Sequence, residues 1–361
     1  MPETPSPYAP SAPLPRPVVA PGEFTFAVAH LDHGHIFGQT AGLLEAGATL
    51  KWVFDTDPAR RQAFLERFAD SGARAAERIE DILDDPAVQL VTAATIPCER
   101  GPLGCRVMKA GKDYFTDKCP FTSLDQLAEA KRVAAASERK YLVYYSERLH
   151  VESAVHAGRL IADGVLGTLI HLSITGPHRH GSGRPAWFYE KAKYGGILTD
   201  ICSHQVDQFL TYGAADDGVV AHARVDNFAH PAHPEFEDFG EAVFELANDV
   251  SCHSRVDWFT PNGLGTWGDG RLFAVGTKGT LEIRKYIEVG QGRPGDRLYL
   301  VDGEREHVID CAGKVGFPFF GELILDCLNR SEKAMTQHHA FKAAELSLRA
   351  QAMADAGRAN A

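Results

Sequence analysis

The feature that most constrains the fold is a regular alternation of short apolar runs and helical segments in the first 145 residues. Five apolar runs are typical of buried strands, at 24–31, 50–54, 88–94, 114–116 and 141–145. Helical patterns separate several of them, at 37–46, 59–68 and 124–137, and Asp57 with Pro58 provides an N-cap and first position for the second helix. Strands separated by helices of this length predict βαβ units and a right-handed, doubly wound parallel sheet.

The pattern changes after Ser146. One helix is predicted at 151–163, and strands then dominate, at 169–175, 219–228, 241–246, 251–258, 271–276 and 279–284. Several of these strands alternate apolar and polar residues, which is typical of an antiparallel sheet with one wetted face. We therefore predict an α/β protein, with an N-terminal Rossmann domain and a C-terminal α+β domain built on a large, mostly antiparallel, open-faced sheet. The predicted bounds are a proline-rich flexible arm at 1–22, the Rossmann domain at 23–146, the second domain at 147–335, and a terminal helix at 336–361 that packs back on the first domain.

Composition excludes several classes of partner. A formal net charge of −11 argues against a nucleic-acid-binding surface, and no apolar stretch is long enough to span a membrane. The seven cysteines include no CxxC pair, so free thiols in a reducing compartment are expected, and the predicted location is the cytoplasm.

The turn after the first strand reads His30-Leu31-Asp32-His33-Gly34-His35, followed by Ile36. A strand, tight turn and helix place a pyrophosphate at the helix N-terminus, and Asp55 is correctly spaced to bind a ribose 2′-hydroxyl. That carboxylate would favour NAD over NADP. All three positions of a GxGxxG loop are replaced, by His30, Asp32 and His35, and a plain βα turn without a ligand has the same features. The carboxylate of Asp32 would also weaken pyrophosphate binding unless it is paired.

Two further segments carry reactive side chains. Lys118 follows the fourth apolar run within Asp117-Lys118-Cys119-Pro120, where the ends of parallel strands face a ligand crevice. A solvated lysine at a strand end is the alternative. In the second segment, 194–207, two glycines precede a helix on which Asp200 and His204 share one face. Asp207 could orient His204 or pair elsewhere, and Asp200 with His204 could equally be a structural pair.

Together the three segments resemble the glucose–fructose oxidoreductase, inositol dehydrogenase and rhizopine-catabolism (Gfo/Idh/MocA) family. That family shows a glycine loop, an E-K-P after the fifth strand and a GGG-x-L-x-D-x-G-x-H-x-x-D helix in this order. Here Asp117 replaces the glutamate and Cys119 is inserted, while Tyr194 and Cys202 replace two glycines of the third motif. The resemblance covers roughly residues 24 to 354.

The resemblance implies a role for each matched residue. Lys118 would contact the nicotinamide ribose and the substrate hydroxyl, His204 would be the acid/base, and Asp200 would position the substrate. Assembly as a homodimer or homotetramer through the C-terminal sheet is also implied. The complete predicted set of cofactor-binding residues is Asp32, His33, Gly34, His35, Ile36, Asp55, Thr95, Ile96, Pro97, Asp117, Lys118 and Arg148.

A histidine-rich segment follows the first strand of the second domain. In an extended chain, His178 and His180 would project to one side, and Trp187 could form a flat wall for a sugar ring. The predicted substrate residues are these three with Asp200 and His204, although an ordinary surface loop is as good an interpretation of the segment. The set His178, His180, Asp200 and His204 also has ligand types that suit zinc or manganese. Its spacing matches no recognised metal motif, so no metal is predicted.

These residues predict an NAD-dependent oxidoreductase that transfers hydride to or from a hydroxyl carbon of a sugar, cyclitol or glycoside. Two alternatives stay open. One is non-redox net chemistry, such as glycoside cleavage or epimerisation, through transient oxidation or a bound metal. The other is a non-catalytic sensor whose altered loop no longer binds a dinucleotide. The predicted partner is a small molecule, and neither nucleic acid nor membrane is expected.

Overall fold

The computed structural model describes residues 6–359. Residues 1–5 of the predicted arm and 360–361 of the predicted terminal helix lie outside this range. The elements of the first domain are β1 (Thr25–Ala29), α1 (His35–Glu45), β2 (Thr49–Phe54), α2 (Pro58–Arg67), β3 (Arg74–Ala75), α3 (Glu80–Leu83), β4 (Leu90–Ala93), α4 (Pro97–Lys109), β5 (Asp113–Asp117), α5 (Leu124–Ser137) and β6 (Tyr141–Tyr144).

The first domain is the predicted doubly wound sheet. Its six strands lie in the order β3-β2-β1-β4-β5-β6, and all neighbours are parallel. Every residue of β1, β4 and β5 is buried, because helices cover both faces of such a sheet. The order reverses between β1 and β4, where the carboxyl ends of the strands open a crevice for a ligand.

Helix α4 was not predicted, and its sequence explains why. It contains Gly101, Pro102 and Gly104, which are residues that lower helix propensity. Its glycines are needed for packing: a Cβ on Gly104 would lie 2.4 Å from the ring of Tyr141 and 2.6 Å from that of Tyr114. Tertiary contacts with β5 and β6 therefore outweigh the local preference.

The second domain consists of α6 (Ser146–Leu149), α7 (Glu152–Ala162), β7 (Leu169–Pro177), α8 (Lys191–Tyr194), α9 (Ile197–Asp200), α10 (Cys202–Tyr212), β8 (Gly218–Asp226), β9 (Phe239–Leu246), β10 (Ser251–Asp257), β11 (Arg271–Gly276), β12 (Thr280–Arg284), β13 (Ile287–Glu288), β14 (Arg293–Pro294), β15 (Arg297–Val301), β16 (Glu306–Asp310), α11 (Pro318–Asn329) and α12 (Gln337–Ala359). Eight of the strands form one sheet in the order β16-β15-β12-β11-β7-β10-β9-β8. Its neighbours are antiparallel except for β7 and β10, which confirms the predicted mostly antiparallel sheet.

Both ends of the described chain pack on the two domains. Helix α12 reaches the first domain through Lys131 and Glu345, whose side chains are 2.9 Å apart, and the second through Gln351. Near the N-terminus, the backbone N–H of Val18 donates to Ala46, and the hydroxyl of Tyr8 donates to Asp302. The predicted arm thus lies along the protein over residues 6–22. Within the described range, no helix combines the length and apolar character needed to cross a membrane.

Helix α1 packs closely against α11 at Gly42, and this close contact leads to a prediction about stability. A Cβ on Gly42 would lie 2.3 Å from the Phe320 ring, so we expect Gly42→Ala to lower the free energy of unfolding by about 1–3 kcal/mol. Gly357→Ala is the matched control, because Gly357 is an exposed position of α12 with open space around it and alanine favours a helix. Chemical denaturation measures both, and equal effects would contradict this account.

Candidate active site

The turn between β1 and α1 keeps its tight backbone without the usual glycines. His30 occupies the left-handed region with a φ of 62°, a conformation that costs a non-glycine residue about 1–2 kcal/mol. A buried carboxylate stabilises the turn, since Asp55 accepts a hydrogen bond of 2.7 Å from the backbone of Leu31. Gly34 precedes α1 without a side-chain cap, and a Cβ there would meet nothing within 4 Å. The helix N-terminus therefore opens onto free space, where an anionic group fits.

The charge of Asp32 is paired. Its carboxylate accepts a hydrogen bond of 2.6 Å from the guanidinium of Arg60, which also lies 3.2 Å from Asp55 and 3.5 Å from Asp57. One arginine therefore serves three carboxylates. The pairing removes much of the repulsion that Asp32 would exert on a pyrophosphate, but it leaves the surroundings of Arg60 negative overall.

The carboxylate of Asp117 lies at the carboxyl end of β5 and is fully buried. It contacts Nδ1 of His33 at 2.8 Å, Nδ1 of His35 at 2.7 Å and the Arg100 guanidinium at 3.1 Å. Burial opposes its ionisation, but the proximity of His35 and Arg100 outweighs burial and holds the pKa of Asp117 well below its usual value. Asp117 is therefore an anion that joins the turn, β5 and α4.

Lys118 and Asp200 connect the two domains. The Lys118 ammonium donates to Asp200 at 2.6 Å. Burial works against the charge of Lys118, yet Asp200 and Asp117 raise the pKa of the amine above its usual value. Against burial, Lys118 likewise lowers the pKa of Asp200. Both groups are charged at neutral pH, so Lys118 can donate a hydrogen bond to an oxygen atom in the cavity.

The position of Asp200 depends on the start of α9. Gly195 and Gly196 have φ values of 90° and 96°, which only glycine adopts readily. The first N–H groups of α9 are then satisfied from distant parts of the chain, Ile197 by Glu237 at 2.9 Å and Leu198 by Gln351 at 3.0 Å. These two contacts fix the first turn of the helix, and Asp200 with it.

His204 lies one turn further on and is almost completely buried, at 1% exposure. Burial and the proximity of Lys118 lower the pKa of His204 well below its usual value, so the imidazole is neutral at pH 7. Its ring centroid lies 6.2 Å from that of His35, and its Nδ1 has no hydrogen-bond partner among the described residues. Asp207 does not orient it, because that carboxylate binds Arg148 at 2.7 Å and His339 at 2.8 Å.

The second domain contributes an aromatic wall. The ring of His178 lies 4.5 Å from Trp267 and 5.3 Å from Trp258. The guanidinium of Arg184 stacks over Phe188 at 4.7 Å and over Trp258 at 5.0 Å, in the range of cation–π contacts. This wall offers flat apolar surfaces together with one stacked positive charge.

These groups enclose one cavity of about 440 Å³ between the domains. The predicted site residues that line it are Asp32, His33, Gly34, His35, Pro97, Lys118, His178, Trp187 and Asp200. Lining residues that were not predicted as site residues are Arg100, Arg179, Arg184, Pro185, Phe188, Trp258 and Trp267. Arg179 and Arg184 stand in the histidine-rich segment and its neighbourhood, but no signal in the sequence marks Arg100, Trp258 or Trp267.

Comparison with known proteins identifies the family. A model of the oxidoreductase family with an NAD-binding Rossmann fold matches residues 32–146, and a GFO/IDH/MocA C-terminal domain model matches residues 155–282. The chain belongs to the Gfo/Idh/MocA family. A protein from Erwinia carotovora atroseptica SCRI1043, for which an oxidoreductase function is proposed, is 43% identical with a TM-score of 0.89, over 92% of this chain and 99% of that one.

Two sugar dehydrogenases are among the more distant similar proteins. The structure of levoglucosan dehydrogenase with NADH and levoglucosan has a TM-score of 0.76 at 13% identity, over 92% of this chain and 98% of that one, and so shows a shared fold. D-xylose dehydrogenase from Paenarthrobacter nicotinovorans is 24% identical over 51% of this chain and 47% of its own length. The match thus spans about half the length of this curated relative.

Several predicted residues of this Gfo/Idh/MocA protein are not among those that line the cavity. Arg148 is committed to Asp207, and His180 bonds to the hydroxyl of Tyr189 at 3.0 Å. The rings of His178 and His180 both pack against Trp258, at 5.3 and 6.4 Å, but only His178 lines the cavity. The other predicted residues outside the lining are Ile36, Asp55, Thr95, Ile96, Asp117 and His204.

The lowered pKa of His178 leads to a prediction about how the stability of the protein depends on pH. Burial lowers its pKa to about 4, from 6.5 in an unfolded chain. Between pH 6.5 and pH 4 the unfolded state takes up a proton that the folded state does not. The contribution of the neutral, buried His178 to the free energy of unfolding is therefore complete above pH 6.5 and is lost as the pH falls to 4. We expect His178→Gln to flatten the pH dependence of the unfolding free energy in this range, by at most about 1.4 kcal/mol per pH unit. Denaturation series at several pH values measure this, and parallel profiles would refute it.

Proposed function

We propose that this protein transfers hydride between a nicotinamide cofactor and a hydroxyl-bearing carbon of a sugar, cyclitol or glycoside. The observation that carries the proposal is the Lys118–Asp200 ion pair, which lines the cavity between a Rossmann turn and an aromatic wall. Sugar dehydrogenases among the relatives favour the same class of substrate. Six of the seven free cysteines are buried, which agrees with a reducing compartment such as the cytoplasm.

The cofactor would be held by the first domain. The open N-terminus of α1 suits its pyrophosphate, and Asp55 supports the turn that leads there. When bound, the nicotinamide supplies the hydride acceptor or donor. The protein's part is to position the substrate hydroxyl and to manage its proton.

Three side chains would do this work. Lys118 donates a hydrogen bond to the substrate oxygen, and Asp200 holds that ammonium in place and accepts from a neighbouring hydroxyl. His204 takes the proton, since a neutral imidazole can accept one. The unpartnered Nδ1 of His204 supports this role, and Arg184 with Trp187 would bind the rest of the sugar.

The catalytic assignment predicts the effect of two substitutions. Lys118→Ala and His204→Ala should each lower kcat/KM by about a hundredfold or more, with much smaller effects on dinucleotide affinity. The assay is reduced-nicotinamide absorbance over a panel of sugars, cyclitols and glycosides with NAD, with calorimetry for the cofactor. Lys109→Ala and His222→Ala are controls at exposed positions remote from the cavity. Unchanged rates in both test variants would refute the assignment.

We propose NAD as the preferred cofactor, with NADP second. Arg60 is the cation near the predicted ribose site, but Asp32, Asp55 and Asp57 surround it. A 2′-phosphate would meet this net negative charge and be repelled.

This charge argument can be tested by removing one carboxylate. Asp32→Asn should free Arg60 and raise the affinity for NADP relative to NAD several-fold, as measured by calorimetry with both dinucleotides. Asp70→Asn makes the same charge change at an exposed position after α2 and should leave the ratio unaltered. A ratio that moves equally in both variants would show that net charge, not Arg60, sets the preference.

Self-association through the second sheet is our proposal for the oligomeric state. The outer face of that sheet exposes Val219, Phe273, Val275 and Val308, each at least 38% accessible. These apolar side chains, exposed on an otherwise largely polar face, support the proposal of a homodimer or homotetramer.

A further inference from the structure

The cluster of His33, His35 and Asp117 has the composition of a metal site. One ligand atom from each residue lies within 4.8 Å of the other two. Both histidine contacts to the carboxylate, at 2.8 and 2.7 Å, use Nδ1. Both are hydrogen-bond distances, from His33 to Oδ2 and from His35 to Oδ1. An ion bound at the usual distance of about 2.0–2.2 Å would replace these hydrogen bonds and move the three ligand atoms slightly apart. Among the described residues, this is the one group of three histidine, cysteine or carboxylate side chains close enough together to hold a metal ion.

Neighbouring groups orient the carboxylate of Asp117 and leave it in contact with the two histidines. The Lys118 backbone N–H donates to Oδ1 of Asp117 at 2.8 Å, and Arg100 donates to Oδ2. Arg100 is itself held by the carbonyl of Thr95 at 2.7 Å. These outer contacts orient a ligating carboxylate in the way that metal sites require. The remaining acceptor directions of Asp117 point to His33 and His35.

The donor atoms are of the types that bind transition metals. Two imidazole nitrogens and one carboxylate oxygen form the donor set. Nitrogen with carboxylate oxygen suits zinc and the neighbouring divalent transition metals, whereas calcium and magnesium prefer oxygen alone. His33 and His35 also line the cavity, so an ion held by three protein atoms keeps an open position toward it, as catalytic metal sites do.

We propose that His33, His35 and Asp117 bind one divalent transition metal ion of the zinc class at the N-terminus of α1, with an open coordination position that faces the cavity. The ion takes the place of the two hydrogen bonds to Asp117. It offers a positive centre to an oxygen atom of a ligand, in a turn where the usual phosphate-binding glycines are absent. The proposal does not depend on hydride transfer.

The test uses tag-free protein, first stripped with a chelator, and cobalt(II) and zinc(II) as probes. We expect one ion per chain by elemental analysis, and a visible cobalt absorption band that zinc abolishes. His33→Gln and His35→Gln should each weaken cobalt binding by about tenfold or more and change the band. These side chains are 28% and 30% exposed, so both variants should fold, as circular dichroism checks.

His222→Gln is the matched control, because it removes an exposed histidine of β8. Asp117→Asn provides a second arm, which should abolish the band if the protein stays folded. Binding that is equal in His35→Gln, His222→Gln and wild type, or the absence of a cobalt band in the folded wild type, overturns the proposal. Because no readout uses catalysis, loss of metal binding and failure of the proposed hydride transfer are separate results.

Discussion

The interaction on which the site depends is the set of contacts around the buried carboxylate of Asp117. Removing one partner of such a buried pair costs about 3–5 kcal/mol, because a charge is left without compensation. Here the partners come from three elements: Arg100 from α4, and His33 and His35 from the turn and start of α1. The carboxylate thus fixes the turn where a dinucleotide phosphate would lie, and it does so from the end of the strand that Lys118 follows. One buried anion, Asp117, therefore positions both the turn between β1 and α1 and the end of β5 beside Lys118.

A second set of contacts places the other domain relative to this anion. Lys118 follows Asp117 in the chain and reaches Asp200 across the cavity. Asp200 in turn is fixed by Glu237 and Gln351, which satisfy the first turn of α9. Gln351 belongs to the terminal helix, so α12 does more than cover a surface. A series of direct contacts therefore runs from the turn between β1 and α1 to α12 and fixes the two domains relative to each other.

The fold could be predicted largely from local pattern. Helix α5 begins and ends where the periodicity places it, because Ser123 caps it and no glycine or proline interrupts it. Helix α4 was missed because its glycines serve packing against Tyr114 and Tyr141. The short final strands β15 and β16 were missed too, although Leu298 and Leu300 alternate with polar neighbours.

The site could be predicted only in part, because its energetics depend on pairs far apart in sequence. Lys118 and Asp200 were identified separately, and their contact spans 82 positions. The repulsive charge of Asp32 is offset by Arg60, 28 residues away, a partner that no spacing rule suggests. His33 and His35 were predicted only as cofactor-binding residues of the turn, because their common partner Asp117 lies 82 residues from His35 in the sequence.

The turn between β1 and α1 differs from a glycine-rich phosphate loop in its side chains. A glycine-rich loop binds phosphate by bringing bare backbone amides close to it, and each bulky replacement should weaken that binding. Two of the three replacements gain a polar side-chain contact: Asp32 with Arg60, and His35, like the neighbouring His33, with Asp117. His30 retains the left-handed backbone that a glycine would provide more easily. The turn therefore keeps its shape, and the imidazoles of His33 and His35 line the cavity beside the open N-terminus of α1.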